Sequence, residues 1–172
     1  KTDGVVTATL AANSLANLAD LDTASTDVIT ITVNDGVSTV NAEDLSALGA
    51  KTAGTVTVSN AVNISGTTDQ VTAALVTPGS LVVASSATVA LDDASTVSEI
   101  NAIAAKTDGV VTGSIAATSL ASLADLDTAG TDDITITVND AGGSGVTAAN
   151  LSTLGGKTAG TVTVSEAVVI SG

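Results

Sequence analysis

Short runs of alternating apolar and polar residues recur along this 172-residue chain. The run VITITV at 28–33 places Ile29, Ile31 and Val33 on one face and Thr30 and Thr32 on the other. Such period-two alternation, rich in β-branched residues, predicts a strand with one buried face. The same reasoning predicts strands at TVTVS 55–59, with Val56 and Val58 inward, at SLVVA 80–84, with Leu81 and Val83 inward, at DITITV 133–138 and at TVTVS 161–165.

Between these runs, apolar residues recur at spacings of three and four, which is typical of short α- or 3₁₀-helices. In NAEDLSALGAK at 41–51, this spacing joins Ala42, Leu45 and Leu48. The other helix-like segments are SLANLADL at 14–21, TDQVTAAL at 68–75, STVSEINAIAAK at 95–106 and TAANLSTLGGK at 147–157. Candidate N-cap residues precede the apolar runs, with Glu99 completing a capping box: Ser14, Asn41, Thr68 and Thr96.

The chain is internally repetitive on two scales. Residues 1–50 closely match 106–156, and residues 51–66 match 157–172. Inside this long period, each strand-like run continues into a helix-like segment. The resulting units are predicted at 5–27, 28–54, 55–79, 80–109, 110–132, 133–160 and, in part, 161–172. One strand and one helix bury too little apolar surface alone, so neighbouring units are expected to stack.

The repeats predict an α/β fold, a right-handed parallel solenoid of strand–helix repeats of 23–30 residues. The reason is that parallel strands joined through a helix favour right-handed crossovers. An all-β parallel solenoid, in which the Leu-x-x-Leu segments are coil, is the alternative. Stacking would also align the outward threonines of successive strands in two files. Because the first and last units are incomplete, we expect a single repeat array, 1–172, that is a fragment of a longer protein.

One tetrapeptide, K-T-[DA]-G, contains every cation of the chain: Lys1, Lys51, Lys106 and Lys157. The last three are predicted at helix C-termini, where a cation stabilises the carbonyl end of the helix dipole by about 0.3–1 kcal/mol. The glycine that closes the tetrapeptide is predicted to form a left-handed turn before the next strand: Gly4, Gly54, Gly109 and Gly160. We interpret the tetrapeptide as a structural cap, and binding of an anionic surface by the lysines is the alternative.

The composition excludes most kinds of catalytic and metal-binding chemistry. The chain has no His, Cys, Met, Trp, Tyr or Phe, and its four cations are all lysines. General acid–base catalysis, thiol chemistry and zinc, copper, haem or iron–sulfur sites rely mainly on those missing residues. We therefore expect that the protein is not an enzyme. The net charge of −14 argues against nucleic acid as a partner, and no apolar run is long enough to predict a membrane span.

Aspartates supply the one candidate metal chemistry. Clusters occur in DLDTASTD and DLDTAGTDD, at corresponding places in the two matching halves. Oxygen ligands on turns are the kind that Ca²⁺ prefers, so calcium is the one candidate ion. The candidate ligands are Asp20, Asp22, Asp27, Asp125, Asp127, Asp132 and Asp133. The alternative is that these side chains are solvated acids of turns, where aspartate makes local hydrogen bonds.

Three segments, NISGTTDQVTAAL at 63–75, LSALGAKTAGTVTVS at 45–59 and SEINAIAAKTDGVVT at 98–112, carry a resemblance to a known class. The chain resembles the tandem repeats of giant, aromatic-poor bacterial cell-surface proteins of the adhesin- and haemolysin-like type. The resemblance implies an extracellular or cell-surface location and structural or adhesive work. The expected function is a spacer, stalk or adhesive filament whose partners are neighbouring repeats and another cell surface or matrix. The alternative is an extracellular binding module, stabilised by calcium or presenting threonines to a glycan, a partner or ice.

Overall fold

The structure is a computed structural model, and it describes residues 3–140, 146–166 and 168–172. The strands are β1 Thr7–Thr9, β2 Val28–Val33, β3 Thr39–Asn41, β4 Val56–Val58, β5 Asn63–Gly66, β6 Val82–Val83, β7 Thr88–Ser95, β8 Val111–Ile115, β9 Asp133–Val138, β10 Val146–Thr147, β11 Val162–Val164 and β12 Ile170–Ser171. The helices are α1 Leu15–Leu18, α2 Ala42–Gly49, α3 Thr68–Val71, α4 Val97–Ala104, α5 Leu120–Leu123 and α6 Ala148–Gly155. A π-helical turn, Thr72–Val76, continues α3 directly.

The mixed α/β class with parallel strands is confirmed. The strand pairs join a four-stranded sheet of order β1-β2-β4-β6, a six-stranded sheet of order β11-β9-β8-β7-β5-β3, and the pair β10-β12. Each of these pairs is parallel. Partner residues lie 20 to 26 positions apart, from Ala94 with Ser114 to Val56 with Val82. The eight-residue helices α2, α4 and α6 rule out the all-β alternative.

Strand faces follow the predicted alternation in β2, β4 and β9. In β2, Ile29, Ile31 and Val33 are buried, and the threonines between them point away from the core. In β4, Val56 and Val58 are buried on either side of Thr57. Because alternate side chains of a strand point to opposite faces, these residues are buried together, and they belong to one apolar core cluster that also contains helix residues.

The strand predicted at 80–84 is shorter than expected and faces the other way. Only Val82–Val83 forms a strand, and Val82 and Ala84 are buried, whereas Leu81 and Val83 are exposed. The prediction of Leu81 and Val83 as inward residues is therefore wrong. Leu81 has φ = 54°, a left-handed conformation that is rare for a branched side chain. This conformation lies at the entry to β6, and a shift of one residue exchanges the faces of a strand.

Most helix starts are as predicted, because short polar side chains satisfy their first N–H groups. Ser14, Asn41 and Thr96 are N-caps, and Glu99 completes the capping box with Thr96. The prediction of Thr68 was wrong by one residue, since Thr67 is the N-cap of α3. Thr67 forms a capping box with Gln70, so the glutamine three residues on decides the register of the helix start.

Sequence alternation missed the second strand of the longer units. Besides β2, the unit 28–54 contains β3; besides β4, the unit 55–79 contains β5. The second strands β3 and β5 are three or four residues long and contain Asn, Ser or Gly, which have low strand propensity. They exist because their backbone pairs in parallel with the next unit, as Val40 pairs with Ile64 and Ile64 with Val89.

Equivalent strands of the two matching halves lie in different sheets. We name residues 1–66 the first copy, 106–172 the second copy and 67–105 the middle segment. β1, β2 and β4 of the first copy lie with β6 in the four-stranded sheet, whereas β8, β9 and β11 follow β7 in the six-stranded sheet. The second copy therefore continues from β7 of the middle segment, and β6 ends the sheet to which β4 belongs.

Candidate functional site

The threonine of the K-T-x-G tetrapeptide is the residue that joins successive units. Thr52 is buried, and its Oγ1 accepts hydrogen bonds from the N–H groups of Ile29 and Gly54, both at 2.8 Å. The same hydroxyl lies within donating distance of the carbonyl oxygens of Asp27 (3.0 Å) and Ile29 (2.8 Å). One hydroxyl thus satisfies backbone groups that belong to two neighbouring units.

The second copy repeats this junction. Thr158 is buried and accepts from Ile134 N–H at 2.9 Å and Gly160 N–H at 2.8 Å, while it lies 3.0 Å from the carbonyl oxygen of Asp132. The tetrapeptide of 106–109 uses the same device, because Thr107 contacts the carbonyl of Ala87 and accepts from Gly109 N–H at 3.0 Å. This carbonyl directly precedes β7, which explains why β8 pairs with β7 and continues its sheet.

The lysines follow the helix ends as predicted, but the contact that they make differs. Lys51 comes directly after Ala50, the C-cap of α2. Its Nζ donates to the carbonyl oxygens of Ala19 (2.5 Å) and Leu21 (2.9 Å), and Ala19 is the C-cap of α1. The cation therefore stabilises the carbonyl end of the neighbouring unit's helix.

The equivalent Lys157 donates to the carbonyl oxygens of Ala124 and Leu126, at the end of α5. Lys106 follows α4 in sequence, and its side chain is exposed, with no hydrogen bond to any residue in the described part of the chain. Two of the three lysines in the described residues thus join units, and the third faces solvent. Sequence alone did not separate them, since all three stand in the same tetrapeptide.

The prediction of left-handed glycines in this tetrapeptide is wrong for Gly54, Gly109 and Gly160. Positive φ values occur at other glycines, Gly36 among them. These three are needed because the backbone at the start of the preceding strand of the same sheet lies against them. A Cβ at Gly54 would approach the carbonyl oxygen of Ile29 to 2.3 Å, and one at Gly160 would approach that of Ile134 to 2.5 Å. The glycine permits close backbone approach rather than an unusual backbone angle.

Two of the predicted calcium ligands are buried and bind backbone amides. Asp27 Oδ1 accepts from Val6 N–H at 2.8 Å, and Oδ2 accepts from Ala24 N–H at 3.1 Å. Its equivalent, Asp132, accepts from Val111 N–H at 2.8 Å and Ala129 N–H at 3.0 Å. Each carboxylate closes its own turn and holds the preceding strand, which is the local use of aspartate that turn chemistry favours.

The remaining predicted ligands are exposed and separate: Asp20, Asp22, Asp125, Asp127 and Asp133. Among the described residues, no group of three or more acidic side chains is close enough to hold a metal ion. The structure therefore brings none of the seven aspartates together as a ligand set. Calcium binding at these residues stays a prediction.

Three further aspartates cap helices of a preceding unit, a role that sequence reasoning missed. Asp35 Oδ2 accepts from Leu15 N–H, the first amide of α1, and Asp140 Oδ2 accepts from Leu120 N–H, the first amide of α5, both at 2.8 Å. In the middle segment, Asp93 Oδ1 accepts from the N–H and the hydroxyl of Thr68, both at 2.7 Å. These two bonds, the hydroxyl first, lower the pKa of Asp93 below its ordinary value of 3.8.

The outward threonines of neighbouring strands lie side by side in part of each sheet. Thr9 pairs with Thr30, Thr32 with Thr57, and Thr137 with Thr163. Each run is short, because the next partner along the row is Val83 for Thr57. The surface is thus a set of threonine pairs rather than a long uniform array.

A groove on the helix side occurs twice. In the first copy it lies between the one-turn α1 and the two-turn α2, with Asp35 and Lys51 at its rim and a volume of about 400 Å³. In the second copy, it lies between α5 and α6, with Asp140 and Lys157 at the rim and a volume of about 380 Å³. The groove follows from packing a helix of four residues against one of eight. The rim residues Asp35, Lys51, Asp140 and Lys157 already bind backbone groups of the protein.

None of the comparisons with protein-family models, curated proteins and solved structures gives a match for this chain. Within the described residues, no helix combines the length and the apolar character that crossing a membrane requires.

Proposed function

We propose that this chain is a structural repeat segment, a spacer or stalk of a large bacterial surface protein, folded as a right-handed parallel α/β solenoid. Parallel pairing at offsets of 20 to 26 residues, as in Thr7 with Val28 and Val56 with Val82, supports successive turns of one solenoid. Right-handedness is supported by the strong preference of strand–helix–strand crossovers for that hand.

The observation that carries the proposal is the use of the reactive side chains in the unit junctions. Lys51, Thr52 and Asp35 bind backbone groups of the preceding unit, and Asp27 binds the backbone next to the strand of its own unit. The corresponding residues of the second copy make the same contacts. A chain that uses two of its four lysines and several buried or half-buried threonines and aspartates to hold its own backbone together is suited to length and stiffness, and it has no histidine or cysteine for catalysis.

The surface location rests on composition and on the resemblance of the repeats. A net charge of −14 on a chain without aromatic residues keeps an elongated array soluble and separated from its neighbours. In this proposal the partners are adjacent repeats in the same protein, and a cell surface or matrix beyond them. Antibodies raised against the chain should label intact cells of the source organism, and labelling only after lysis would contradict the location.

Concatenation tests the spacer role directly. Residues 5–109 are one long period with four complete predicted units, so each added period should lengthen the particle by about 19 Å at a strand spacing of about 4.8 Å. Small-angle X-ray scattering of one, two and four joined periods should give a constant cross-section and a linear increase in length. Independent globules joined by flexible hinges, or a cross-section that grows with copy number, would overturn the proposal.

A second candidate function, an extracellular binding module, is favoured by the paired outward threonines Thr9–Thr30, Thr32–Thr57 and Thr137–Thr163. Paired hydroxyl groups of this kind would contact a glycan, a protein or ice. A glycan array, thermal hysteresis of a cooled solution and calorimetry with Ca²⁺ against a chelator test the three versions. Saturable binding lost on Thr32→Val plus Thr57→Val, with unfolding unchanged, would favour the module over the spacer.

A further inference from the structure

The second copy has an apolar face that no described residue covers. It is formed by α6, β11 and β12, and we name it the outer face; its central residues are Leu151, Gly155, Val162 and Ile170. Ile170 is 53% exposed and the neighbouring Val169 is 76% exposed, while Leu151 and Val162 are half-buried. Strands β11 and β12 are also the outermost strands of their sheets, so one backbone edge of each is unpaired among the described strands.

In the first copy, the same residues are covered by part of the middle segment. Leu45, Val56 and Ile64 correspond to Leu151, Val162 and Ile170, and all three are fully buried. Val56 pairs with Val82, and Ile64 pairs with Val89. The helix formed by α3 and its π-helical continuation packs on α2, the equivalent of α6.

Gly49 shows how closely the cover fits. A Cβ on Gly49 would lie 2.3 Å from the carbonyl oxygen of Ser80, so the backbone of the middle segment lies directly on α2. At the equivalent Gly155, nothing lies within 4 Å of such a Cβ. The space next to each glycine therefore shows that the middle segment covers α2 and that no described residue covers α6 in the same way.

We propose that the outer face is a docking site for a polypeptide with the residue pattern of 67–91, the segment that covers the equivalent face of the first copy. Such a segment adds strands to the edges of β11 and β12 and lays a helix on α6, so it supplies main-chain hydrogen bonds and apolar contact together. This inference rests on the stacking part of the proposed function. It adds that the junction can form between separate chains.

A second copy of the same chain is a poorer occupant of this face. Its free edge, β1, is followed by α1, which has one helical turn. The nine residues of α3 and its continuation, 68–76, cover the two-turn α2 in the first copy. The longer helix is therefore the matching element for α6. One contact of the cover is missing in the second copy, since Gln70 binds Glu43 at 3.0 Å and position 149 is Ala149.

The first experiment measures binding in trans. A fluorescently labelled peptide with the sequence of residues 67–91 is titrated with the 172-residue chain, and anisotropy is recorded. Saturable binding is expected, with at least tenfold weakening for a control peptide that carries Val82→Asp and Val89→Asp. Chain variant Gly155→Ala keeps its circular dichroism spectrum because its Cβ has free space, yet it should bind at least tenfold more weakly.

The second experiment removes the entropic cost of association by placing residues 67–105 directly after Gly172. In this longer chain Gly155→Ala should become destabilising, whereas in the present chain it should not. The proposal is overturned if Gly155→Ala has the same effect in both chains, if the wild-type peptide and the appended segment both fail, or if sedimentation shows that the chain itself dimerises through Gly155. Scattering of concatenated periods is independent of these results, so it tests the spacer role separately.

Discussion

The two copies have similar sequences and similar secondary structure, but the first copy is covered at its later strands and the second copy at its first strand. In the first copy the later strands β4 and β5 are covered, and Ile64 is fully buried, whereas its equivalent Ile170 is 53% exposed. In the second copy the first strand is covered instead, since Val111 is 1% exposed and its equivalent Val6 is 38% exposed. The middle segment lies between the copies and covers one side of each.

The comparison separates two kinds of interaction. Apolar burial at the outer strands depends on which unit lies next to them, so it differs between equivalent residues. The hydrogen bonds of Thr52 and Thr158 and those of the buried aspartates lie within each copy, so they are the same in both. Substitutions of equivalent apolar residues at the outer strands should therefore change the free energy of unfolding by different amounts. Substitutions of equivalent hydrogen-bonding residues should change it by the same amount.

The largest contrast is expected for Ile64→Ala against Ile170→Ala. Removing the buried side chain of Ile64 should lower the free energy of unfolding by about 2–5 kcal/mol, because it leaves a cavity. At the exposed Ile170, the change should be within about 0.5 kcal/mol. Urea unfolding followed by far-ultraviolet circular dichroism measures both. Ile31→Ala and Ile136→Ala are the matched control, since both residues are fully buried and should cost the same; equal costs at 64 and 170 would contradict the comparison.

Thr52→Val and Thr158→Val should act alike. Each replacement keeps the shape but removes a hydroxyl that accepts two backbone N–H bonds, and leaving those amides unpaired should cost about 1–3 kcal/mol. Hydrogen exchange should show lost protection at Ile29 and Gly54 in the first variant. Thr52→Ser, which retains the hydroxyl, is the control. A loss of stability in one copy alone would show that the junctions are not equivalent.

Two of the three lysines should contribute to the free energy of unfolding, and the third should not. Lys51→Met and Lys157→Met remove hydrogen bonds from Nζ to the carbonyl end of a neighbouring helix, and each should cost about 0.5–1.5 kcal/mol. Lys106→Met should change the free energy of unfolding by less than about 0.5 kcal/mol, because its side chain is exposed. The cost at Lys51 should fall as salt is raised. If all three substitutions changed the free energy of unfolding equally, the hydrogen bonds of Nζ would not be the source of the stabilisation, which would contradict the prediction.

The smallest effect is expected from Asp93 in the middle segment. Because its hydrogen bonds to Thr68 lower its pKa in the folded state, the charged carboxylate contributes stability above its ordinary value of 3.8, and this contribution disappears as the pH falls through the lowered pKa. The midpoint of urea unfolding, measured from neutral to acidic pH, should show this component in the wild type and not in Asp93→Asn. Asp92→Asn, next to it and exposed, is the control. A difference between wild type and Asp93→Asn that persists at the lowest pH would contradict the assignment.

Most strands and helices could be predicted from the sequence, whereas the contacts between units could be predicted only in part. Alternation predicted β2, β4 and β9 with the correct faces, and spacing of three and four predicted α2 and α4, because these signals are local. The orientation of β6 was wrong because the left-handed conformation of Leu81 leaves no pattern in the sequence. The threonine of the tetrapeptide was overlooked, although its presence in every copy was a visible signal.

The sequence by itself determined the parallel α/β class and the position of the lysines after the helices. These properties follow from the periodicity of side chains within about ten residues of one another. The tertiary structure alone decided that β8 joins the sheet of β7, that the glycines admit a neighbouring backbone, and that Ile64 is buried while Ile170 is not. The physical reason is that these outcomes depend on contacts with backbone 20 to 26 residues away, and identical segments acquire different surroundings there.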